Sequence, residues 1–251
     1  MILRTAFFVG ALVIGSPAFA QSSLGITGAT LEVTSAEDET GQLRNSFATS
    51  VDVRITEYHG LQGDLSFGET RGGTIGHLGG HLYLAPQPGQ KYGLFLSLSD
   101  MDGRSMAWVN AGAEAMVSLG EKTTVEGRLG LGKADSGSLD YIFGGVSLAH
   151  ALSPAFEVEA ALDIADFDET AFRATSVDAS LTARYSPEGS PWGMFASVTQ
   201  SELMGRDGGA SDTRFGFGAT FNFGQSGGVD PAIRMFRGQD PVVGLVRRGI
   251  W

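Results

Sequence analysis

Residues 214–223 read Arg214-Phe215-Gly216-Phe217-Gly218-Ala219-Thr220-Phe221-Asn222-Phe223. Successive side chains of a strand point to opposite faces, so Phe215, Phe217, Ala219, Phe221 and Phe223 share one face. Arg214, Gly216, Gly218, Thr220 and Asn222 share the other. A helix would scatter the same aromatics around its circumference, so this stretch predicts a strand with one oily and one wet face.

The rule extends upstream. Phe156, Val158, Ala160, Leu162 and Ile164 oppose Glu157, Glu159, Ala161, Asp163 and Ala165. Val177, Ala179, Leu181, Ala183 and Tyr185 oppose Asp178, Ser180, Thr182 and Arg184, while Val125, Leu129 and Leu131 oppose Glu126 and Arg128. Further strands fit at 24–35, 46–58, 60–69, 73–85, 91–100, 105–119, 138–151 and 191–203, although 24–35, 73–85 and 138–151 alternate poorly. After residue 20 no apolar run approaches the roughly 18 residues of a membrane helix. A membrane span must then be a closed barrel, because lipid leaves no unpaired sheet edge satisfied. The strands predict an all-β, closed, antiparallel up-and-down transmembrane barrel of about 12 strands, with 10 or 14 compatible with the same residues.

The N-terminus supplies the compartment. Arg4, an apolar stretch from Ala6 to Gly15 and the exit Ala18-Phe19-Ala20 predict a signal peptide over residues 1–20. Without Arg4 the remaining chain has a net charge of −12, which argues against nucleic-acid partners. There is no cysteine, so stability in an oxidising compartment must come from the hydrogen-bonded framework. A mean hydropathy of +0.04 suits a barrel in which every second residue faces water.

Connections also divide into two sets. One, near His59-Gly60, Pro86 to Gly89, Gly120-Glu121, Ser153-Pro154 and Pro187 to Ser190, is tight and reads as periplasmic. The other, at Glu37 to Gly41, Arg71 to Gly73, Asp100 to Arg104, Asp135 to Gly137, Asp166 to Thr170 and Gly205 to Ser211, is acidic and reads as the longer outer set. Tyr92, Tyr185 and Trp192 would cluster at the periplasmic rim as an aromatic girdle.

Together, the signal segment, the glycine-rich alternating strands and the ending Phe221-Asn222-Phe223 resemble the porin-like outer-membrane β-barrels of Gram-negative bacteria. The resemblance covers nearly the whole chain after residue 20. It implies an outer-membrane location and contact with outer-membrane lipids. It also implies a final strand, here Phe215, Phe217, Phe221 and Phe223, read by the barrel-assembly machinery. Members usually stop at the final aromatic, whereas this chain continues for 28 residues. The domain reading is therefore a signal peptide at 1–20, a barrel at 21–224 and a periplasmic tail at 225–251. That tail carries Arg234, Arg237, Arg247 and Arg248, and either extends disordered, folds back into an acidic lumen as a plug, or touches periplasmic partners.

By strand parity the wet face carries Asp52, Asp64, Glu114, Glu126, Asp140, Glu157, Glu159, Asp163 and Asp178 against Arg54, Lys91, Arg128, Arg184 and Arg214. Opposed charges across a lumen suit passive diffusion of small hydrophilic solutes or ions, and the acidic excess favours cations. In a narrow barrel the same residues would instead neutralise one another, which fits a non-conducting structural or adhesion barrel. Trp108 falls on the wet face, so it either fills the lumen or marks a wrong register. His77 and His81 would lie roughly 13 Å apart, too far to share a metal. They keep alive an outer-membrane hydrolase, but with no accompanying motif the expectation is no enzymatic activity and no cofactor. Asp100-Met101-Asp102-Gly103 lacks the remaining ligands of a calcium loop and reads as a turn.

Overall fold

A computed structural model of the chain describes residues 25–135, 139–224, 228 and 234–250; the expected signal segment lies outside the described residues. Twelve strands follow one another: β1 (Ile26–Glu37), β2 (Leu43–Arg54), β3 (His59–Thr70), β4 (Gly73–Leu84), β5 (Gln90–Met101) and β6 (Ala107–Leu119) make the first half. The second half is β7 (Thr123–Ala134), β8 (Asp140–Ser153), β9 (Phe156–Asp168), β10 (Arg173–Tyr185), β11 (Trp192–Met204) and β12 (Ala210–Phe223), followed by a short helix α1 (Pro241–Arg247). Each strand pairs antiparallel with its sequence neighbours, and β1 closes the ring on β12 from Ala29↔Phe223 to Ala36↔Gly216. An even count lets an antiparallel ring close without a parallel seam, and closure removes the edges that lipid could not satisfy.

The outer surface is apolar. Leu94, Leu129 and Leu131 are 64%, 69% and 65% exposed, values a soluble protein would not sustain over a continuous wall. Phe215, Phe217 and Phe223 share that surface, while Phe221 is half-buried between the rings of Trp192 and Phe223, each 4.6 Å away between centroids. Tyr92, Tyr185 and Trp192 are all exposed and stand at strand ends on the side where both termini of the barrel lie, here the terminal end.

Three expectations need correction. Residues 55–58 form a turn instead of finishing β2, because the Ile55 and Thr56 amides both donate to the His59 carbonyl and reverse the chain early. The far-end connections, of two to five residues, are not set apart in length from those at the terminal end, of two to six. Asp140 belongs to the outer face, two residues from exposed Ile142, and pairs with Lys133 at 3.2 Å where both are well exposed.

Candidate functional site: a lumen threaded by the C-terminal segment

The charged positions on the inner wall are held there by strand parity and by partners across the lumen. His81 on β4 lies between Asp64 on β3 and Glu114 on β6, 2.6 Å from each. Arg128 on β7 continues the chain with a 2.8 Å bond to Glu114 and lies over the Phe95 ring. Asp52 accepts the Tyr83 hydroxyl at 2.7 Å, and Arg214 bonds Asp212 at 2.9 Å. Arg184 reaches Glu32 at 3.5 Å and Glu159 at 3.9 Å. Asp178 accepts from the Ser201 hydroxyl. Arg54, the last residue of β2, is exposed at the rim instead of facing into the lumen's middle.

Into this wall fits the C-terminal segment. Residues 234–250 do not extend beyond the barrel as the periplasmic tail of the domain reading would. They run inside it from the terminal end to the far end, where buried carboxylates of the wall gain counter-charges from the segment. Arg234 bonds Glu157 at 2.7 Å and also Glu159, while Lys91 donates to the Arg234 carbonyl at 2.9 Å. Phe236 is clasped by Gln62, whose side-chain amide accepts the Phe236 N–H at 2.8 Å and donates to its carbonyl at 2.9 Å. The Phe236 ring stacks on His81 at 5.8 Å and meets Tyr83 edge-on. Arg237 reaches Asp163 at 3.1 Å, and its backbone N–H donates to Glu126 at 3.1 Å.

Further along, Asp240 accepts from the Trp108 indole at 2.7 Å and the Ser99 hydroxyl at 2.7 Å. The same carboxylate caps α1 by accepting the Val242 N–H, with Pro241 at the first helical turn, where a missing N–H costs nothing. Helix α1 then buries Val242, Leu245 and Val246 among Trp108, Phe143, Phe167, Leu203 and Met101. At the far rim Arg247 pairs with Glu39, and Arg248 with Asp212 at 2.8 Å.

Trp108 therefore fills the lumen, and the register of β6 stands as drawn from the sequence. Along β4 to β11 the inner wall is wet mainly toward the terminal end and the middle, and its far third is largely aromatic and aliphatic. Glycines make room there, since a Cβ at Gly130 would lie 2.5 Å from the Phe143 ring and 2.9 Å from that of Phe95. His77 bonds Ser99 at 2.9 Å, but Ser99 donates its proton to Asp240, which lies 3.6 Å from the same ring nitrogen. A nucleophilic triad places the acid on the opposite nitrogen, so this group is a latch for α1. Gln62, Ser99, Phe236 and Asp240 were not singled out in the sequence. The one local signal among them is Asp240-Pro241, a helix cap followed by a first-turn proline.

No protein-family model matches the chain, and no curated protein matches it in sequence. Among solved structures the NanC porin superposes with a TM-score of 0.59 at 7% identity, over 76% of this chain and 98% of that one. An outer-membrane channel from Pseudomonas putida F1 gives 0.55 at 14% identity, over 80% and 96%. The KdgM porin in complex with disordered oligogalacturonate gives 0.53 at 9% identity, over 77% and 98%. At such identities the likeness is one of architecture: with its apolar outer belt and closed antiparallel ring, the chain has the fold of porin-like outer-membrane β-barrels.

Proposed function

We propose that the protein is an outer-membrane channel for passive diffusion of small hydrophilic solutes or ions, its lumen narrowed by its own C-terminal segment. The observation that carries the reading is a charged inner wall whose surplus acids Glu126, Glu157, Glu159 and Asp163 are matched by Arg234 and Arg237 of that segment. Segment and wall are held by reversible contacts, so withdrawal leaves a polar, acid-lined passage. Cation preference belongs to this emptied state, because with the segment in place the acids are neutralised. The outward Phe215, Phe217 and Phe223, with Phe221, form the surface offered to the barrel-assembly machinery and to lipid.

The test is single-channel conductance in planar bilayers of the full chain beside a chain ending at Gly224. Removal of the segment is expected to raise conductance several-fold and to move the reversal potential toward that of the cation. A truncated barrel that is folded by heat-modifiable gel migration yet silent would overturn the reading. That result would favour a structural barrel, for which the apolar packing of α1 in the far mouth already speaks.

A further inference from the structure

The C-terminal segment is not centred in the lumen. The contacts that hold residues 234–240 come from β3 to β9: Gln62, Lys91, Trp108, Glu126, Glu157 and Asp163. On the other side, most inward groups of β1, β2 and β12 are only half-buried, and two cavities lie between them and the segment. The first, of about 490 Å³, opens toward the terminal end and is bordered by Thr30, Ser50, Thr182, Thr220 and Asn222. The second, of about 340 Å³, continues past Ser46, Ser66 and Arg214 to Asp38 and Arg44 at the far rim. They have two residues in common, Ala48 of β2 and Gly238 of the segment. Gly238 is exposed although it lies within the barrel, and a Cβ built on it would meet nothing within 4 Å. The junction is thus flanked by the two smallest kinds of side chain, with open space beside them.

We infer that the barrel conducts water and small inorganic ions with its C-terminal segment in place, along a side conduit beside β1, β2 and β12 whose narrowest point is Ala48 and Gly238. The inference rests on the channel reading above and adds the path and its class of solute. Hydroxyl and amide groups line the lower half. Toward the terminal end the charges it passes are already paired, Arg184 with Glu32 and Arg234 with Glu157, which leaves little there to trap an ion. Organic solutes need the segment withdrawn, whereas small ions do not.

The test uses the full chain in planar bilayers with potassium chloride as the only electrolyte. Small, steady openings are expected, several-fold below those of the chain ending at Gly224. Ala48→Trp should lower the full-length conductance several-fold, and Gly238→Phe should do the same from the other side. In the truncated barrel Ala48→Trp should change the conductance only slightly, because the lumen there is wide. A silent full chain beside a conducting truncated one overturns the conduit and leaves the channel reading standing; silence of both overturns both. Full-length current insensitive to Ala48→Trp and Gly238→Phe, in barrels folded by gel migration, also overturns the conduit.

Discussion

Asp240 joins three elements with one carboxylate: it accepts from Trp108 of β6 and Ser99 of β5 while capping α1. Asp240→Ala removes a cap worth about 1 kcal/mol. It also strands a buried indole N–H, at a cost of about 1–3 kcal/mol. The segment is therefore expected to become sensitive to added protease in reconstituted barrels while the strands stay resistant. Two neighbouring residues separate wall from lining. Leu162 is 40% exposed on the lipid face, so Leu162→Arg is expected to cost about 2–4 kcal/mol and to reduce the folded band on gels. Asp163 faces Arg237, so Asp163→Asn should leave the folded band intact and loosen only the segment.

In the first far-end turn, burial raises the Asp38 carboxyl. Hydrogen bonds from Thr40, Gln42 and Arg44 outweigh that and hold it well below the usual carboxylate range. A lowered folded value means that its contribution is complete above the ordinary value of 3.8 and is lost as pH falls through the lowered one. The difference in unfolding temperature between the protein and Asp38→Ala should stay level down to about pH 4 and shrink below it.

Among the elements, β9, β10 and β12 were legible through a wet inner face, and β4 and β8 were obscured by one that is dry toward the far end. β12, β9 and β10 alternate cleanly because lipid lies on one side and polar side chains on the other. β4 and β8 alternate poorly because both of their faces are apolar toward the far end: Ile75, Tyr141 and Phe143 point inward against α1 and its cluster, while Leu78 and Ile142 point to lipid. A period of two records a difference between faces, and here the difference vanishes. The tail was legible as basic and as a departure from the barrel pattern. Its docking was not, because the partners of Arg234 and Arg237 lie more than 70 residues away in sequence. At α1, Leu245→Ala should weaken docking of the helix by about 2–5 kcal/mol through the cavity it leaves. That would appear as faster hydrogen exchange at Val246 with the strand amides unchanged.

For the whole molecule, twelve strands make the wall and the C-terminal segment occupies much of what the wall encloses. The closed antiparallel ring followed from the sequence alone, since period, strand count and the absence of an apolar helix leave no other membrane-spanning arrangement. Whether the ring was empty did not, because charges that line a pore and charges that bind a plug have the same spacing. The arrangement has a directional consequence: the chain leaves β12 at the terminal end and brings Ile250 to the far end, 36% exposed beside the outer rim.

The chain has no cysteine, so a single introduced one reports position without background. The most direct measurement is labelling of Ile250→Cys in intact cells with a polyethylene-glycol maleimide too large to cross the outer membrane. Gly103→Cys at the far end and Glu121→Cys at the terminal end serve as the two references. Labelling of Ile250→Cys before permeabilisation, like Gly103→Cys, is the result a threaded lumen predicts. Labelling only after permeabilisation, like Glu121→Cys, would return the segment to the periplasm and contradict the account.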